Sequence, residues 1–109
     1  MSDKIETYEK FWLYYLGEHR KVSTRILHYV GTTISIVFLI LLLTTFNWWY
    51  LLAGVIAGYF FAWIGHFFVE HNRPATFTYP FWSLYSDFRM YFHWVTGTLG
   101  KHLEAAGVK

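Results

Sequence analysis

The stretch ILHYVGTTISIVFLILLL, residues 26–43, decides how this chain folds. It carries no formal charge, its only titratable group is His28, and it is long enough for a helix to cross the hydrocarbon core of a bilayer. A second apolar run, WWYLLAGVIAGYFFAWIGHFFV over residues 48–69, follows after the short polar break Thr44-Thr-Phe-Asn47. Two spans joined this tightly, about 24–44 and 48–71, form an antiparallel hairpin. Trp48, Trp49 and Tyr50 open the second at the depth where interfacial aromatics collect. Pro74 ends it, because proline cannot continue the ladder and disfavours a helical residue before it.

Outward from the hairpin, Ile5, Tyr8, Phe11, Trp12, Tyr15 and Leu16 recur at helical spacing. They predict an amphipathic helix over about 3–17, with Asp3 as N-cap, Glu6 as its return partner and Gly17 at its end. Residues 75–80 read as a loop and about 81–103 as a last helix. Its Asp87 and Arg89 argue against a third span, while Trp82, Tyr85, Phe88, Tyr91, Phe92 and Trp94 suit the headgroup level. The expected fold is an all-α integral membrane bundle forming one domain over 1–109.

Composition agrees. The 109 residues are 55% hydrophobic, 24% aromatic and only 15% charged, too greasy for a soluble body with so much surface to keep wet. A net charge of +2, on residues flanking the apolar runs, reads as membrane anchoring and leaves no phosphate-tracking patch for nucleic acid. Every Lys and Arg precedes Ile26 or follows Val69, which puts both termini on the cytoplasmic side. The membrane is then a bacterial inner membrane, or the endoplasmic reticulum in a eukaryote. The first residues lack the pattern of a cleaved signal peptide. Cysteine is absent, so His, Asp and Glu are the only strong metal ligands.

The histidines give the hairpin its chemistry. Counted from Asn47, His28 and His66 sit the same number of residues away, so the spacing predicts equal depth near the cytoplasmic edge. On the second span Gly54, Gly58, Ala62, His66 and Glu70 follow at steps of four, a small-residue stripe running into an imidazole and a carboxylate. Thr24, His28, Gly31, Thr32 and Ser35 make a comparable face on the first. His19 joins them only if the chain bends between Gly17 and Ser23. His71 projects off the stripe as an interfacial residue. The bland alternative, headgroup-level histidines over a packing seam, weighs about evenly against a metal or proton-handling site, because titratable groups beside a span are costly to keep.

Tyr14-Tyr-Leu-Gly-Glu-His-Arg20, Arg25-Ile-Leu-His-Tyr-Val-Gly-Thr32 and Trp63-Ile-Gly-His-Phe-Phe-Val-Glu-His-Asn-Arg-Pro-Ala75 together resemble a family of small membrane proteins, long known as a domain of unknown function. That family includes the fungal 2-hydroxy-fatty-acid dioxygenase. Tyr79-Pro-Phe-Trp-Ser-Leu84 and Asp87-Phe-Arg-Met90 resemble its short bacterial branch. Thr24, where many members carry Asn, and His71, where Lys is common, depart from it. The resemblance implies an iron(II) enzyme that shortens a long-chain 2-hydroxy fatty acid by one carbon with dioxygen. It implies His19, His28, His66 and Glu70 as catalytic metal ligands. Such ligands leave coordination positions open for substrate and oxygen, and they also bind zinc, which can substitute on purification. Arg73, Arg20 or Arg25 would pair the substrate carboxylate, although positive-inside anchoring explains each equally well. Two other classes stand beside this one: a haem-binding membrane protein clamped by two histidines, and a structural or transport homo-oligomer in which the stripes only pack.

Overall fold

The computed structural model describes residues 4–108, and among them every regular element is helical. They are α1 (Tyr8–Gly17), α2 (Val22–Thr45), α3 (Trp49–Ile64), α4 (Pro80–Thr96) and α5 (Leu99–Ala105). A π-helical turn at Gly65–Glu70 continues α3, and a 3-10 turn occupies Ala75–Phe77. Val22–Thr45 and Trp49–Glu70 are long and apolar enough to cross a membrane. At about 1.5 Å per residue they measure roughly 36 and 33 Å, against a hydrocarbon core of about 30 Å. Ile40, Leu43, Ile56 and Phe60 are each more than half exposed on their outer faces, which suits lipid far better than water.

Small residues let α2 and α3 close on one another. A Cβ on Gly31 would stand 3.1 Å from Phe61 Cβ and 3.2 Å from the Gly58 carbonyl, and one on Gly65 only 2.9 Å from Thr24 Cγ2. The Ser35 hydroxyl donates to the Gly54 carbonyl at 2.7 Å. These contacts pair 24 with 65, 31 with 58 and 35 with 54, so the two helices run in opposite directions. Between them α2 stops at Phe46, whose φ of 56° is left-handed, and Asn47 Oδ1 takes the Trp49 N–H at 3.1 Å to begin α3.

The buried core lies at the opposite end from that turn. Phe11, Trp12, Tyr15 and Leu16 of α1 pack with Tyr29, Met90 and Leu99. Two expectations need correction. The first helix begins at Tyr8, not near residue 3: Thr7 Oγ1 accepts the Lys10 N–H, and Ile5 N–H is held by the Tyr79 hydroxyl at 2.8 Å, outside any helix. Asp3 lies outside the described residues. The single helix expected over 81–103 is two helices, because Gly97 adopts a φ of 75° and returns its N–H to the Trp94 carbonyl. That left-handed position costs glycine little and stops α4.

Candidate metal centre

His19 stands on the loop between α1 and α2, His28 near the start of α2 and His66 in the π-helical turn. The chain does bend between Gly17 and Ser23, and Arg25 holds the bend. Its buried guanidinium donates from Nη1 to the carbonyls of His19 at 2.6 Å and Arg20 at 3.0 Å. Lys21 fastens the same loop to the end of α3. Its N–H donates to Glu70 Oε2 at 2.5 Å and its Nζ to the Val69 carbonyl at 3.0 Å.

His28 and His66 are not level. With Thr24 opposite Gly65, His66 lies about five residues nearer that helix end than His28, roughly 7 Å along the axis. They meet because each Cα–Cβ bond tilts toward the N-terminus of its own helix. In antiparallel helices those tilts oppose, and the rings are aimed at one another. His28 Nε2 stands 3.4 Å from His66 Nε2 and 2.9 Å from His19 Nε2. All three residues are buried, and one ligand atom of each lies within 4.8 Å of the others.

The outer ring nitrogens decide what the inner ones can do. His19 Nδ1 faces the Tyr15 carbonyl at 2.7 Å, and a carbonyl only accepts, so Nδ1 carries the proton and Nε2 a bare lone pair. Burial, reinforced by His28 and His66, holds His19 well below the usual imidazole range and therefore neutral. His66 Nδ1 faces Asn72 Oδ1 at 2.7 Å, while Asn72 Nδ2 donates to the Glu18 carbonyl at 3.0 Å. That second bond fixes the amide orientation and makes His66 Nε2 a lone pair as well. His28 lies between two acceptors and can satisfy at most one by donating. A cation would satisfy all three. Ligands about 2.1 Å from a metal lie about 3.0 Å apart at a right angle and about 3.4 Å apart at the tetrahedral angle. The His19–His28 and His28–His66 separations fall at those values, and three imidazoles converging in this way could hold a divalent metal.

Behind His28, Nδ1 faces Asp87 Oδ1 at 3.6 Å, and Asp87 accepts a short hydrogen bond from the Tyr15 hydroxyl. Burial pushes the Asp87 carboxyl up to about 7 and raises the Tyr15 phenol further from its ordinary value. Such outer-shell carboxylates orient a ligand ring and raise its basicity.

Glu70 does not share this cluster, its carboxylate being committed to the Lys21 N–H. The π-helical turn carries an extra residue per hydrogen-bonded turn, which breaks the step-of-four stripe between His66 and Glu70. Of the arginines, Arg25 binds the loop carbonyls, Arg20 Nη1 reaches the Gly107 carbonyl at 3.4 Å, and Arg73 stands 5.0 Å over the Phe77 ring. His93 and His102 form a separate tilted pair, ring centroids 4.2 Å apart, beside Trp12.

Asn72 and Asp87 are the site residues that sequence reasoning missed. Asn72 reaches back because His71 takes a left-handed φ of 61° and both the His71 and Asn72 N–H groups return to the His66 carbonyl. Asp87 had a readable signal: Ser83, Ser86 and Asp87 share one helical stripe that runs on to the buried Met90, a small polar patch within an aromatic helix.

A family model described as Mpo1-like, 2-hydroxy-palmitic acid dioxygenase Mpo1-like, matches residues 5–99. No curated protein and no solved structure gives a significant match. With the family model covering most of its length, the chain belongs to the Mpo1-like family.

Proposed function

We propose that this member of the Mpo1-like family is a membrane-embedded, iron(II)-dependent dioxygenase that shortens 2-hydroxy fatty acids by one carbon. The observation that carries this reading is the convergence of three imidazole Nε2 atoms, two of them forced to be bare lone pairs by acceptors on the opposite ring nitrogen. In the proposed topology α2 and the Trp49–Glu70 helix cross the bilayer as a hairpin. Helices α1, α4 and α5 cap its cytoplasmic face, with both termini on that side.

His19, His28 and His66 would hold the metal, leaving adjacent positions for a carboxylate, a hydroxyl and dioxygen. Bound iron(II) supplies the means of bringing dioxygen and a chelating 2-hydroxy acid together in one oriented complex. The protein's own residues set that stage. Asn72 and the Tyr15 carbonyl fix two ring orientations. Asp87, with a carboxyl near neutrality, sits where it can hold or release a proton beside His28. Glu70 and Arg25 act as positioning residues that anchor the His19 loop. With one dioxygen per acid, atoms balance as the shortened acid, carbon dioxide and water.

The arrangement weighs against a haem. Two axial imidazoles need a clear plane between them, and His19 Nε2, 2.9 Å from His28 Nε2, would stand in it. The test is anaerobic loading with iron(II), then oxygen and a long-chain 2-hydroxy acid, followed by mass spectrometry. The shortened acid is expected in proportion to iron. None from an iron-loaded, folded sample would remove the activity.

A further inference from the structure

From His28 an elongated cavity of about 300 Å³ follows the seam of α2 and α3. Its polar head is formed by His28 and Asp87. Past Ser35, whose hydroxyl is already spent on the Gly54 carbonyl, the walls turn aliphatic: Ile36, Leu39 and Leu42 face Leu51 and Val55. Gly54 and Gly58 line its middle, where the lack of a side chain lets α3 approach Ser35 of α2 closely. Leu39, Leu51 and Val55 are each nearly half exposed toward the lipid-facing surface, so an apolar molecule could enter sideways from the bilayer without crossing water.

We infer that this cavity holds the alkyl tail of the 2-hydroxy acid, and that Leu42 and Tyr50 at its far end set the longest tail accepted. The inference rests on the reading proposed above. A cavity whose polar end is His28, one of the three converging imidazoles, and whose remainder is apolar is complementary to a molecule with one chelating head and one hydrocarbon tail. Its length can be compared with a tail. From His28 to Leu42 along α2 is roughly 21 Å at about 1.5 Å per residue. An extended chain advances about 1.2 Å per bond, so this length takes roughly 17 bonds. The cavity is therefore sized for a chain of about 18 carbons and is far too long for a short hydroxy acid to fill.

Ile36 lies on the same wall roughly 12 Å from His28, a distance of about ten bonds. The test is turnover of saturated 2-hydroxy acids from 8 to about 18 carbons by the full-length protein and by Ile36→Trp, Leu42→Trp and Leu43→Trp, with iron content measured in each. Leu43 is 63% exposed and does not line the cavity, so its variant is the control. Ile36→Trp should lose kcat/KM by at least about tenfold on the long acids and keep the shortest within about threefold. Leu42→Trp should lose only the longest, and Leu43→Trp should match the parent. Parallel chain-length profiles in all four proteins would overturn the tail assignment while leaving the dioxygenase reading intact. If the parent turns over no acid, that reading fails instead. The cavity is then judged by photolabelling with a 2-hydroxy acid bearing a diazirine at its tail end. Competable labelling within residues 39–51 supports it, and labelling elsewhere or none overturns it.

Discussion

Replacing Asn72 by Ala tests the tautomer argument most sharply, because Asn72 bonds the outer nitrogen of His66 and does not line the cavity beside His28. Its Oδ1 takes the His66 Nδ1 proton at 2.7 Å, and its Nδ2 ties the Glu18 carbonyl at 3.0 Å. Without it the His66 ring is free to rotate and to place its proton on Nε2, where a metal cannot bind. Losing an outer-shell partner of this kind costs about 10–100-fold in metal affinity, or about 1.4–2.7 kcal/mol. A half-buried Glu18 carbonyl left unpaired adds about 1–2 kcal/mol of lost stability. Asn72→Asp separates the two effects, since it restores the acceptor for Nδ1–H but supplies no donor to Glu18. The assay is anaerobic iron(II) competition with a chromophoric chelator in detergent, alongside thermal unfolding. Asn72→Ala should show both losses, and Asn72→Asp should regain most of the affinity but not the stability. If Asn72→Ala binds iron as tightly as the parent, the argument that the outer ring nitrogens prepare the inner ones is refuted.

Alanine at His19, His28 or His66 should each abolish stoichiometric metal, whereas Glu70→Gln should keep it and lower stability by about 1 kcal/mol through its weakened bond to Lys21; metal analysis and thermal melts decide. Gly65→Ala should cost about 1–3 kcal/mol by driving a methyl into Thr24 Cγ2, and Thr24→Ser, which removes that methyl, should recover most of it, so unchanged stability in the single variant would deny the close approach. The pH dependence of the metal-free protein follows from His19. Burial holds it below the usual imidazole range, so below about pH 6.5 the unfolded chain binds a proton that the folded chain refuses, and stability falls with pH. Asp87, pushed up to about 7, works in the opposite sense, so the fall should be steeper in Asp87→Asn; a flat melting profile in that variant would contradict this.

The two long apolar helices could be read from residues 26–43 and 48–69 because their length and lack of charge are what a lipid crossing demands and few other environments do. The seam was readable for the same kind of reason: Gly31, Ser35, Gly54 and Gly58 are small where two helices must touch. What could not be read lay in small departures from regular geometry. Gly65-His-Phe-Phe-Val-Glu70 shows nothing to separate a π-helical turn from a continuing α-helix, yet that turn carries Glu70 off the His66 stripe and onto Lys21. His71 carries no local mark of its left-handed backbone, and without that reversal Asn72 would not meet His66. Equal counting from Asn47 misjudged the depth of the histidines, since register is set by which small residues meet and not by where the turn lies. Asp87 differs from these: its stripe with Ser83 and Ser86 was readable, but its charge counted only against a third span, and its partner Tyr15 lies 72 residues away.

X-ray absorption at the iron edge, on protein loaded anaerobically with one iron(II) per chain, bears most directly on the central claim. Three imidazole nitrogens at about 2.1 Å, with the outer-ring scattering characteristic of histidine, are the predicted first shell. A shell with fewer than three imidazoles, or the same spectrum from the His19→Ala/His28→Ala/His66→Ala protein, would contradict it.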